Sequence, residues 1–148
     1  MIATVSEVLN LAATLLDKGV CRGANARLEG GKACGVFDQR AASYSMYGAL
    51  CRVLGPGLGD DKELQSSAAW KLIALRAWEA CKGTAAESLR SRMEYALHDL
   101  NDWLPDFYRQ EPVMEIFGKN VHTQANARAG TFRDWAADPE IKALGQWR

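Results

Sequence analysis

The stretch that most constrains this chain is Gly19-Val-Cys-Arg-Gly-Ala-Asn-Ala-Arg-Leu-Glu-Gly-Gly-Lys-Ala-Cys-Gly35. It lies between two helical patterns. An ordered irregular segment of this length is uncommon inside a domain and is often functional. Within it, Glu29-Gly30-Gly31 is a turn signal flanked by Ala26-Arg27-Leu28 and Lys32-Ala33-Cys34. One short hairpin is expected there.

The flanking segments read as helices. Thr4 and Glu7 make a T-x-x-E capping box, and Val5, Val8, Leu9, Ala12, Leu15 and Leu16 follow at helical spacing. Gly19 stands where a left-handed C-terminal cap belongs. A second helix is expected from Asp38 as N-cap to about Leu54, with Gly48 marking a close helix–helix approach, because glycine there costs about 1 kcal/mol relative to alanine. Gly55-Pro-Gly-Leu-Gly59 ends it. A third helix is expected from Asp60-Asp61 to about Lys82, with stripes Leu64, Ala68, Leu72, Leu75 and Trp70, Ile73, Ala77, Cys81. Thr84 and Glu87 repeat the capping pattern and predict a fourth helix to Pro105, burying Leu89, Met93, Ala96, Leu97, Leu100 and Leu104.

Beyond Pro105, a short helix is read over Val113–Phe117 and another over Thr123–Ala136. Asp138-Pro139 opens a final helical turn. Trp135 and Trp147 are expected to tack this tail onto the core. The predicted class is therefore mostly α: a single-domain helical bundle of four main helices plus short C-terminal helices, with at most one small β-hairpin. One domain covers 1–148, with its core over about 4–104.

Balance of charge limits the functions available. Eighteen Lys and Arg offset eighteen Asp and Glu, so formal net charge is zero. Broad nucleic-acid binding needs a basic footprint and is not expected. The local basic excess is at Arg22, Arg27 and Lys32. No run approaches the ~18 apolar residues of a membrane span. The N-terminus lacks a basic n-region, so it reads as a helix start and not a signal peptide. A cytoplasmic location with reduced cysteines is expected.

Each candidate for chemistry has a plainer reading beside it. Cys21, Cys34, Cys51 and Cys81 have no C-x-x-C pairing, so no metal site is expected. Cys51 and Cys81 sit on apolar stripes as small core residues. Cys21 and Cys34 lie in the loop, where a nucleophilic role needs a base such as His98 or His122. Glu94, His98 and Asp102 recur at i, i+4, i+8, a line able to hold a metal or position a base, or simply a solvated face. The glycines match no phosphate-binding pattern, and no cofactor is implied. Arg22, Asn25 and Arg27 are candidates to bind an anion or an acidic partner, since arginine grips carboxylate or phosphate through two bonds.

Gly23-Ala-Asn-Ala-Arg27, Gly48-Ala-Leu50 and Leu100-Asn-Asp102 with Pro105 nearby carry a resemblance. Together they are similar to a family of small uncharacterised bacterial and phage proteins known as a domain of unknown function, with a G-A-x-A-R loop, a G-A-L helix and an N-D pair. The resemblance covers about Val8–Leu54 and Leu97–Val113. Leu28 and Leu100 depart from it, where an acidic residue and an aromatic are expected. It implies a small helical fold and adds Asn101 and Asp102 to the binding candidates Arg22, Asn25 and Arg27. It also makes a phage or mobile-element source plausible.

The expectation is a non-enzymatic protein-binding module with a protein partner, such as a phage protein that binds or inhibits a host factor. The alternative is a small hydrolase or transferase, using a loop cysteine with a histidine or the Glu94, His98, Asp102 line. Catalytic residues are not identified by the sequence.

Overall fold

The capping box at the start of the chain forms as read. Thr4 Oγ1 accepts from Glu7 N at 3.1 Å and Glu7 Oε2 accepts from Thr4 N at 3.4 Å, opening α1 (Val5–Lys18). The computed structural model describes residues 3–84, 86–88, 92–104, 107–116 and 119–148; over 107–125 it describes backbone only. α1 buries Val5, Val8, Leu9, Ala12, Ala13 and Leu16, and Gly19 ends it in extended, not left-handed, backbone at φ 174, where a Cβ would lie 2.6 Å from Ala42 O. It packs between α2 (Met46–Leu54) and α6 (Ala127–Ala136).

The Gly-rich stretch forms the expected hairpin, β1 (Ala26–Leu28) with β2 (Ala33–Cys34), and a third strand besides. β3 (Ala41–Tyr44) pairs antiparallel with β1, giving the order β2-β1-β3. This corrects the expected start of the second helix. Asp38 is no N-cap: its Oδ1 accepts from Arg40 N at 2.9 Å in a tight turn, and its carboxylate pairs with Arg40. The cap is Ser45, whose Oγ accepts from Gly48 N at 3.0 Å. Tertiary pairing with β1 outweighs the helical preference of Ala41 and Ala42.

The expected third helix is two. α3 (Asp61–Ser66) stops and α4 (Ala68–Ala80) starts at Ser67, which is extended at ψ 147. Its hydroxyl donates to Leu64 O at 2.6 Å and accepts from Trp70 N at 3.1 Å, closing one helix and opening the next. Trp70, Ile73, Ala77 and Cys81 face the core; Ala68 is exposed and Leu72 and Leu75 are half-buried.

The fourth helix also begins later than expected. Thr84 Oγ1 donates to Cys81 O at 2.7 Å and accepts from Ala86 N, so its hydroxyl finishes α4's end and opens no helix. A 3-10 turn over Met93–Tyr95 leads into α5 (Ala96–Trp103). Leu97 and Leu100 are buried as expected, but Met93 is 43% exposed. Leu89 lies outside the described residues.

The tail brings a second correction to strand. β4 (Phe107–Ile116) and β5 (Lys119–Asn126) pair antiparallel where helices over Val113–Phe117 and from Thr123 were expected. α6 starts only at the N-cap Asn126, whose Oδ1 accepts from Arg128 N and Ala129 N. α7 (Pro139–Ala143) has proline at its first turn and Asp138 as cap, as read. Trp135 and Trp147 are buried in the core. The chain is one mostly α domain with a small antiparallel sheet and a hairpin. Among the described residues, no helix is long and apolar enough to cross a membrane.

Candidate functional site

Three short segments far apart in sequence meet at one junction. Gly48, on α2, faces the loop and not another helix. A Cβ there would lie 1.9 Å from Asn25 O. The absent side chain lets the loop carbonyl approach the helix and accept from Ser45 N at 3.0 Å. From α5, buried Asn101 reaches both: its Oδ1 accepts from Met46 N at 2.9 Å, and its Nδ2 donates to Cys21 O at 3.0 Å. Asn101 thus satisfies one of the orphan amides that open α2 and pins the loop to α5.

Arginines close the C-terminal end of α5. Arg22 Nε donates to Asp102 O at 3.1 Å and its Nη2 to Leu104 O at 3.3 Å. Arg128, only 1% exposed, donates from Nε to Asn101 O at 3.0 Å and from Nη2 to Leu104 O at 2.9 Å. Cations on C-terminal carbonyls match both the orphan acceptors and the helix dipole. Arg128 was missed by sequence reasoning; only its place in an Ala-rich helix start could have flagged it as a buried cap. Arg27 is folded back on its own loop, with Nη2 donating to Arg22 O at 2.9 Å and Nη1 to Gly31 O at 2.9 Å. Among the described residues it makes no ion pair with Asp102.

The junction leaves a cleft of about 250 Å³ lined by Gly23, Ala24, Asn25, Ser45, His98, Asn101 and Asp102. Of the binding candidates, Asn25, Asn101 and Asp102 line it. Arg22 and Arg27 brace the loop beside it. Ser45 and His98 join the cleft unforeseen. His98 was expected on a solvated face but is half-buried, its ring 4.7 Å from that of Tyr47. Burial holds its pKa below the ordinary value, against the opposing pull of the Asp102, Asp99 and Asp61 carboxylates. Tyr47 is itself anchored, donating from Oη to Asp61 Oδ1 at 2.5 Å, and it packs edge-on to Trp70. Burial raises the pKa of Asp99, on the same helix, and its Oδ2 has no hydrogen-bond partner among the described residues.

The expected line of Glu94, His98 and Asp102 does not assemble. Glu94 sits in the 3-10 turn before α5 and pairs with Arg92. Among the described residues, no group of three or more His, Cys, Asp or Glu is placed to hold a metal. The cysteine pairings fare similarly. Cys21 is buried, its thiol pushed up by burial and directed at Ala24 O, 3.3 Å away. No hydrogen bond joins it or Cys34 to His98 among the described residues. The side chain of His122 on β5 lies outside them.

A family model described as a family of unknown function (DUF6197) matches residues 1–143. No curated protein and no solved structure matches.

Proposed function

The chain belongs to the DUF6197 family of unknown function, and we propose that it is a non-enzymatic module binding a protein partner through the cleft between the Gly23–Asn25 loop and α5. The observation that supports this is the division of labour at the junction. Asn101 and the three arginines spend hydrogen bonds on backbone carbonyls and amides, which fixes the shape of the cleft. Asn25, Ser45, His98 and Asp102 remain around a polar recess of about 250 Å³. Rigid framing of a few polar groups is what a recognition site needs. A phage or mobile-element protein that occupies a host factor fits the same reading.

The hydrolase or transferase alternative has less support. Burial raises the pKa of the Cys21 thiol, whereas a nucleophile needs a lowered pKa or an adjacent base.

The test is capture by the immobilised full chain from a lysate of the source cells. Proteins retained by the wild type and by Gly30→Ala, but released by Asn25→Trp, are identified by mass spectrometry and titrated against purified chain. Asn25→Trp fills the rim of the cleft. A retained protein that binds wild type and Asn25→Trp equally, or the absence of any cleft-dependent protein, refutes the reading.

A further inference from the structure

We infer that the cleft takes a cationic nitrogen donor, the guanidinium of an arginine side chain presented by the partner, against Asp102 and His98. This rests on the binding reading above and gives it a chemical class.

What the cleft can bind is set by the polar groups left uncommitted around it. The α2 N-terminus at Ser45 would draw an anion if its first amides were open. Two of the first three are taken: Asn101 Oδ1 accepts from Met46 N–H and Ser45 Oγ from Gly48 N–H. Among the described residues, no cationic side chain lines the cleft, and the guanidinium groups of Arg22, Arg27 and Arg128 lie on backbone carbonyls. The lining therefore offers an anion little.

It offers a cation more. Asp102 is the charged residue of the lining, and the contact its carboxylate receives from Asn101 Nδ2 is long, at 3.3 Å. His98 stands one helical turn earlier and lines the same recess. Among the described residues its ring nitrogens have no hydrogen-bond partner, and burial favours the neutral ring, whose imine nitrogen accepts. The Asp102, Asp99 and Asp61 carboxylates all act on His98 in the sense that favours positive charge. Asn25 adds a carboxamide oxygen at the rim. A guanidinium carries five N–H donors in a rigid planar fork, enough to serve a carboxylate and a neighbouring acceptor together.

The experiment follows backbone amide resonances of the ¹⁵N-labelled full chain at pH 7 in low salt. The probes are Nα-acetylarginine amide, Nα-acetylglutamine amide, putrescine and inorganic phosphate. The arginine probe is expected to shift Gly23, Asn25 and Asp102 saturably, the glutamine probe at least about tenfold more weakly, because charge-assisted bonds are the stronger ones. Asp102→Asn should weaken the arginine probe at least about tenfold and His98→Gln about threefold or more, with both variants melting near the wild type. Phosphate binding these amides more tightly than arginine, or an arginine affinity unchanged in Asp102→Asn, overturns the inference. Putrescine binding more tightly than arginine overturns the assignment to a partner's side chain in favour of a free amine. Cleft-dependent capture of a protein without arginine-probe binding leaves the binding reading standing and this inference refuted. Probe binding without cleft-dependent capture refutes the binding reading and, with it, the assignment to a partner's side chain.

Discussion

Replacing Gly48 by alanine pits two opposed effects against each other, and the structure decides between them. In a helix interior alanine is favoured over glycine by about 1 kcal/mol. Against that, the new Cβ would stand 1.9 Å from Asn25 O, 2.7 Å from Asn25 C and 3.1 Å from Asn25 Cα. All three are backbone atoms, so no side chain can swing aside. The loop has to retreat by more than an ångström, which breaks the 3.0 Å bond from Ser45 N to Asn25 O. Overpacking of this kind costs about 1–3 kcal/mol, and the lost bond adds about 0.5–1.5 kcal/mol. The net expectation is a loss of about 1–3 kcal/mol, or a melting temperature lower by about 2–12 °C for a chain of this size. Gly30→Ala is the control. Nothing lies within 4 Å of its Cβ, so its stability should stay within about 0.5 kcal/mol. Thermal unfolding followed by circular dichroism reads both. A Gly48→Ala protein as stable as the wild type, or more so, would refute the close-approach argument.

Further expectations follow from burial and charge. Leu97→Ala should cost about 2–5 kcal/mol, since Leu97 is fully buried. His98→Ala should cost about 1 kcal/mol through its lost packing on Tyr47, more than a solvated position would; urea melts check both. Asn101→Ala leaves Met46 N–H and Cys21 O without their partner and should cost about 1–3 kcal/mol, whereas Asp102→Ala, an exposed position, should stay within about 0.5 kcal/mol. Thiol titration should modify Cys34 first in the native protein, because Cys21, Cys51 and Cys81 are buried, and find four thiols after denaturation. Stability should fall at both ends of the pH range. The depressed His98 holds fewer protons folded than unfolded, so stability present above about pH 6.5 is lost as pH falls. Cys51, pushed up to about 12 mainly by burial, and Tyr47, raised mainly by burial, stabilise below their ordinary values and lose that as pH climbs past about 9. Urea midpoints at pH 5.5, 7 and 10 test the sign on each side.

The sequence was legible where a signal is purely local. Thr4 with Glu7, and Asp138 before Pro139, cap the helices they were read to cap. Capping chemistry alone does not say which backbone group it serves. Asp38 bonds the amide of Arg40 in a turn, Thr84 serves the carbonyl of Cys81, and Ser67 works in both directions at a break hidden inside an apolar periodicity. The strand pairing of Ala41–Tyr44 is set by β1, which no window around Ala41 contains. In the tail, Tyr108, Val113, Ile116, Val121 and Thr123 are strand formers, and the pairing of β4 with β5 outweighs the helix read over each segment alone. The site was legible in part. Asn25, Asn101 and Asp102 do converge, but the half-burial of His98 depends on Tyr47 arriving from another helix.

The loop, Gly48 and the Asn101-Asp102 pair act as one device, and their roles separate by what each polar atom is already doing. Gly48 admits the Asn25 carbonyl, Asn101 ties that loop to α2, and Arg22 and Arg128 close the end of α5. Those bonds explain why these residues belong together without any ligand. They also commit the Arg22 and Arg27 guanidinium groups to backbone carbonyls. A guanidinium that caps a helix or ties off its own loop has hydrogen bonds to break before it can grip anything else, and that cost counts against binding. Among the described residues, the side chains of His98 and Asn25 have no such bonds, and Asp102 has only the long contact from Asn101. On the proposed binding reading, recognition at this junction therefore falls to acceptors, and a donor-rich cationic group is the complement they call for.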